Sequence, residues 1–195
     1  MNIFRSTRFM MVVLAFILAV APLSAVFAAQ MIPTLTPPIP PNAQNVHCST
    51  SDNGTVCHWT ASFGTPSTGV PYGYVACNGA SVIVNLQGEM RVNAFYNEMG
   101  QLELLKRHIS YSGTLSSPVT GISVPHEGNA TLTIDFLDNT TTITGLYHAT
   151  VLPGQGVVFL DAGIVVVEAD GTVSFVGGPH DYYLEETDQL CAALS

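Results

Sequence analysis

Hydrophobic and polar positions divide this chain into three regimes. Arg5 and Arg8 precede a continuous apolar run, Phe9 to Val20, which Ala21-Pro22 breaks before small residues at Ala25, Ala28 and Ala29. A basic start, an apolar centre and a small-residue end form an export signal. It is predicted as residues 1–28, with Val26 and Ala28 at the two positions a signal peptidase inspects. The alternative is a retained anchor, since Phe9 to Ala29 matches the roughly 20 residues a bilayer crossing takes. Residues 29–45 are uncharged and carry Pro33, Pro37, Pro38, Pro40 and Pro41, which predicts an extended, semi-rigid tether. Residues 46–195 are left for one β domain.

Within that domain, short apolar or alternating runs are cut by turn residues. Ser81 to Gln87, Arg91 to Tyr96, Leu102 to Leu115, Ile122 to Leu137, Thr140 to Leu152, Val157 to Glu168 and Thr172 to Val176 read as strands. The turns between them are Asn97 to Gly100, Ser116 to Gly121, Asp138-Asn139, Pro153 to Gly156 and Asp170-Gly171. Pro125 to Gly128 has the chemistry of a bulge. Turns this short between sequential strands make an antiparallel meander, closed as an up-and-down barrel or left as an open sandwich. Glu185 to Leu194 is predicted as a short C-terminal helix capped by Thr187 or Asp188.

Composition adds the compartment. Cys48, Cys57, Cys77 and Cys191 are an even set behind an export signal, so two disulfides are expected. A two-residue turn at Asp52-Asn53 would place Cys48 opposite Cys57, and Cys77 then pairs with Cys191 by elimination. Zinc is the competing reading, because His47 and His58 flank the same hairpin. Neighbouring strand residues point to opposite faces, so four ligands there would not converge. Without the signal's Arg5 and Arg8, three of the five basic residues remain against 14 acids, a net charge of −11. That excludes nucleic acid as a partner, and membrane contact is expected only if the signal is retained. The basic residues left are Arg91, Lys106 and Arg107, with Arg91 predicted opposite Lys106.

Turn lengths also say which side chains meet. They put Leu132, Ile134, Phe136, Ile143, Tyr147, Ala162, Ile164, Val166 and Phe175 on one core face. On the other face Thr131, Thr133, Thr142 and Thr144 lie beside Val165, Val167 and Val176. On that second face His148 falls opposite Asp161, Asp161 opposite His180, and Asn129 beside His148. Asp161 is the anomaly, a carboxylate inside the apolar run Val157 to Val165. A buried carboxylate needs partners, and imidazoles serve. The row reads either as a structural hydrogen-bond network or as a catalytic His148–Asp161 acid–base pair with His180 beside it. A His-Asp-His metal site is the third form. There is no nucleophile elbow, zinc-protease, phosphate-loop or calcium-loop motif. The sequons at Asn53, Asn129 and Asn139 have meaning only in a eukaryotic secretory host.

The stretches Gly113-Thr114-Leu115, Pro118 to Gly121, Gly156 to Gly163 and Gly178-Pro179-His180-Asp181, with the late Cys191, resemble a group of secreted bacterial β-domain proteins of unassigned activity. In layout the meander is similar to dirigent and allene-oxide-cyclase-like barrels, a likeness that implies a fold and no chemistry. The expectation is a secreted β domain that binds a small molecule or an extracellular surface partner, without cofactor or metal. The alternatives are a hydrolase, isomerase or cyclase using His148 and Asp161, and a structural or adhesive surface protein.

Overall fold

The computed structural model describes residues 33–195; the predicted signal and its cleavage position lie outside the described residues. Nine strands form one antiparallel sheet: β1 (Gln44–Ser51), β2 (Gly54–Gly64), β3 (Val70–Cys77), β4 (Ala80–Tyr96), β5 (Leu102–Ser116), β6 (Ser123–Asp135), β7 (Thr140–Leu152), β8 (Gly156–Val167) and β9 (Val173–Gly177). One helix follows, α1 (Asp188–Ala193), entered at Thr187 with no side-chain cap bond. From β4 to β9 each strand pairs with the next, as short turns require. The sheet runs from β1 to β9 without closing, so it is the open form of the predicted meander and not a barrel.

Three departures from the predicted layout have physical causes. First, β4 is continuous through Gly88-Glu89-Met90, where a break was expected. Its length gives it two partners on one side: β2 pairs with Gln87 to Tyr96, and β3 with Ala80 to Val84. Second, a turn one residue longer than Asn97 to Gly100 and a register shift between Phe95 and Tyr96 together place Arg91 opposite His108, and Lys106 opposite Asn93. Third, residues 33–43 are not a free tether. The Thr36 amide donates to Gly100 O and the Leu102 amide to Thr36 O, and Leu35 and Ile39 pack on the sheet.

A line of glycines lets the sheet coil. Gly88 and Gly128 both lie directly opposite Tyr111, and Gly113 lies opposite His126. A Cβ at Gly88, Gly113 or Gly128 would sit 2.3, 2.0 or 2.3 Å from the carbonyl oxygen of Ser110, Asn85 or Tyr147. Only glycine permits backbones that close, and such positions mark where sheets bend. The inner face is thereby divided. On one side Tyr72, Val75, Val82, Val84, Leu115, Val124 and Phe159 pack with Leu190 and Leu194 of α1. On the other, Cys57, Trp59, Val92, Ala94, Tyr96 and Leu105 take the N-terminal segment as their cover. Tyr72 of β3 and Phe159 of β8 meet at 6.1 Å between ring centroids, so the sheet curls until these distant strands share a core.

Both predicted disulfides form. Cys48–Cys57 closes the first hairpin and Cys77–Cys191 ties β3 to α1. The second joins residues 114 apart and anchors the C-terminal segment against the inner face.

Candidate functional site

The polar row sits where the glycine line crosses the inner face. Tyr111 points inward from the middle of β5, and its ring occupies the space a side chain at Gly128 would need: a Cβ there would lie 2.5 Å from Tyr111 Cε1. Opposite Gly128, strand β7 carries an extra residue. Pairing passes from Asn129–Leu146 to Glu127–Ala149, so Tyr147 and His148 together face a single residue. That bulge turns His148 inward beside Tyr111. His126 reaches the same point from β6, two residues before Gly128 on the same face.

Tyr111 is the hub. Its hydroxyl donates to Tyr147 O at 2.7 Å, since a carbonyl only accepts. Its oxygen then receives His148 Nδ1–H at 2.6 Å, which leaves Nε2 as the basic nitrogen of His148. His126 Nε2 lies 3.2 Å from the same oxygen, and its Nδ1 lies 3.1 Å from the Thr150 hydroxyl. The His126 ring also hydrogen-bonds the Ala149 backbone. The imidazoles of His126 and His148 stack at 5.3 Å, with the Tyr72 ring edge-on to both.

Asp161 anchors the second half. As predicted, His148 lies opposite Asp161, and Asp161 bridges to His180. The backbone row does not become a side-chain row, however. His148 spends its Nδ1 proton on Tyr111, and no hydrogen bond joins it to Asp161 among the described residues. Asp161 instead accepts the Tyr182 amide on both oxygens at 3.3 Å and faces His180 Nδ1 at 3.5 Å. His180 Nε2 donates to Gly177 O at 3.3 Å. Its Nδ1 therefore meets Asp161 as one acceptor meeting another unless a proton lies between them. The strap carrying these groups is stitched to β8: the Ala162 amide donates to Pro179 O, the Asp181 amide to Leu160 O, and the Leu160 amide to Asp181 Oδ2.

Burial sets the titration of the cluster. It pushes the Asp161 carboxyl up to about 7; the Tyr182 and Tyr183 amides oppose that shift, and the neighbouring Asp181 adds to it. It pushes His126 down to about 4 and, with His126 alongside, takes His148 well below its ordinary value. The phenols of Tyr72, Tyr111, Tyr147 and Tyr182 all rise for the same reason. At neutral pH His126 and His148 are therefore uncharged. The Tyr72 hydroxyl, on a residue only 7 % exposed, has no hydrogen-bond partner among the described residues.

Several expected placements change. The β6–β7 turn takes four residues, 136–139, and not Asp138-Asn139 alone, so Asn129 lies opposite Leu146, exposed on the far face and outside the row. The β7 bulge inverts the predicted core face of β8. Ile143 pairs with Val165, and the two are buried with Ala130, while Phe175, opposite Val166, is exposed; Phe136 is exposed for a different reason, its place in the β6–β7 turn. One inserted residue suffices, because side chains alternate with a period of two. The sequence pattern places His126 in a bulge and gives Tyr72 and Tyr111 no role. The available signal was the pair Tyr111 and Gly128, an aromatic beside a strand glycine it can cover.

The row is sealed: His148, Asp161 and His180 are 7, 0 and 3 % exposed. Open concavities lie on the other side of the same strands. One of ≈ 680 Å³ is lined by Ser62, Gln87, Glu89, Ser110, Ser112 and Glu127. It shares Gln87 and Ser112 with a second of ≈ 820 Å³ that extends to Thr65, Ser67, Asn85 and Thr114. Comparison with family models, with curated proteins and with solved structures finds no match for this chain.

Proposed function

We propose that this chain is an exported, non-catalytic β domain that binds a small molecule or an extracellular surface partner on its outer sheet face. The observation that carries this reading is the separation of chemistry from access. The groups able to move protons are buried, while the two larger open concavities are mostly polar and are lined by no imidazole. Two disulfides accord with an oxidising destination, and the N-terminal apolar run supplies the route. In this reading the His148–Asp161–His180 row holds the strap to β8 and is a structural network.

One observation favours an enzyme instead: the Asp161 carboxyl, raised by burial to about 7, faces His180, in a core that also holds a Tyr72 hydroxyl with no hydrogen-bond partner among the described residues. Catalysis would then require the strap to lift. A single preparation separates the two readings. The exported wild-type and Asp161→Asn proteins are purified, their first residue is read by N-terminal sequencing, and any small molecule that accompanies them is identified by untargeted mass spectrometry. The binding reading expects a start at Ala29 and the same molecule, chemically unchanged, in both proteins. Different molecules, related as substrate and product, would overturn it in favour of the enzyme.

A further inference from the structure

The two outer concavities continue into a third of ≈ 230 Å³ that shares Ser112 and Glu127 with the first and reaches Pro125, His126, Ala149 and Val151. Together they form one trough running across the strands, from β2 through β4, β5 and β6 to β7. Four strand spacings make it roughly 19 Å long. We propose that this trough binds an extended, uncharged, hydroxyl-rich chain, namely a neutral oligosaccharide. The proposal rests on the binding reading above and names its ligand class.

Its floor explains its depth. The cross-strand row Gly64, Gln87, Ser112, Glu127 and Ala149 alternates small residues with long polar ones. Small side chains at Gly64, Ser112 and Ala149 leave room, and Gln87 and Glu127 stand between them. The next row contributes Ser62, Glu89 and Ser110, and the row on the other side Asn85 and Thr114. One end is prearranged. Thr65 donates its hydroxyl to Asn85 Oδ1 at 3.2 Å, and Asn85 Nδ2 donates to Ser67 O at 3.1 Å. Gln87, Glu89, Ser110, Ser112 and Glu127 are exposed, and their side chains make no hydrogen bond within the described residues.

The chemistry selects among ligands. The trough has hydroxyls, amides and two carboxylates, and no lysine or arginine. An anionic ligand would meet Glu89 and Glu127 in a protein already strongly acidic, so like-charge repulsion excludes it. A cationic chain would gain only two exposed ion pairs, at Glu89 and Glu127 on different rows, each worth about 0–1 kcal/mol, and would leave the hydroxyls and amides between them without partners. An apolar ligand would strand these polar groups without partners. An extended peptide recognised through its backbone needs a free strand edge, whereas these are interior strands whose amides and carbonyls are already used in the ladder. What remains is recognition by side-chain donors and acceptors spread along a line. A neutral sugar chain offers both kinds of group on every ring, so hydroxyl, amide and carboxylate each find a partner.

The test is titration calorimetry of the full disulfide-bonded protein with neutral hexasaccharides of β-1,4-glucose, α-1,4-glucose and β-1,4-N-acetylglucosamine. Hexalysine and a sulfated hexasaccharide are run alongside. Ser112→Trp fills the trough floor from an exposed position, and Gln87→Ala removes a donor–acceptor pair; unchanged melting curves certify both folds. The expected result is binding of at least one neutral hexasaccharide, weakened at least tenfold by Ser112→Trp and measurably by Gln87→Ala. Binding of hexalysine or the sulfated sugar alone, lost in Ser112→Trp, would overturn the sugar assignment and leave the binding reading intact. Failure of every neutral hexasaccharide, or binding indifferent to Ser112→Trp, would also overturn it. The binding reading itself stands or falls on the co-purification experiment.

Discussion

Tyr111→Phe isolates the hub of the buried network. Phenylalanine keeps the ring that covers Gly128, so no cavity opens and the substitution removes only the hydroxyl. Three buried groups then lose a partner: Tyr147 O, His148 Nδ1 and His126 Nε2. An orphaned buried polar group costs about 1–3 kcal/mol. The two shorter bonds, at 2.7 and 2.6 Å, dominate, and the 3.2 Å contact adds less. Taking about 1.5 kcal/mol for each of the two gives a loss of about 3 kcal/mol. For a domain of this size that lowers Tm by about 6–12 °C. The assay is thermal and urea unfolding with the disulfides intact. Tyr96→Phe serves as the control, since it removes a hydroxyl with a single bond, to Pro37 O at 3.2 Å, and should cost about 1 kcal/mol. A double-mutant cycle with Thr150→Val should show coupling above about 0.5 kcal/mol, because Thr150 reaches Tyr111 through His126. The reasoning is refuted if Tyr111→Phe lies within about 0.5 kcal/mol of wild type, the level expected of an uninvolved surface change.

Two further outcomes are expected. The His126 pKa falls from 6.5 to about 4 on folding, so its contribution is present above pH 6.5 and is lost as pH falls towards 4, by about 3 kcal/mol at most. Asp161 rises from 3.8 to about 7, so its contribution is full below 3.8 and is lost as pH rises through 7. The two oppose each other between pH 4 and 7, and Asp161→Asn should therefore lose stability on acidification more steeply than wild type in urea titrations; an equal or shallower slope would contradict the buried carboxyl. The disulfides should differ in worth. Chain-entropy reckoning gives about 5 kcal/mol for Cys77–Cys191 and about 2.5 kcal/mol for Cys48–Cys57, from separations of 114 and 9 residues. Paired serine substitutions in denaturant titrations should reproduce that order, and the reverse order would show that the C-terminal segment is not held mainly by its bond.

Local signals carried much of the architecture. Turn residues at Asp52-Asn53, Pro153 to Gly156 and Asp170-Gly171 dictate tight reversals, and a tight reversal determines which residues face each other nearby. For that reason the sequence alone settled the open-or-closed meander class, both cysteine pairings, the opposition of His148 to Asp161, and that of Asp161 to His180. The Cys48–Cys57 and His148–Asp161 pairs lie within a few residues of a turn, Asp161–His180 lies nine residues from Asp170-Gly171, and Cys77–Cys191 follows by elimination.

Tertiary structure decided what lies farther from the turns. Whether β7 carries its extra residue at Tyr147–His148 depends on Tyr111 needing the space above Gly128, a contact between residues far apart in the chain. That single insertion turned Val165 into the core and left Phe175 outside it, while a β6–β7 turn of four residues, 136–139, moved Asn129 out of the row. The placement of β3 beside β4, the docking of residues 33–43 and the strap over Asp161 are likewise long-range. A pattern of period two records that a strand has two faces; which face turns inward is set by what the rest of the molecule packs against it.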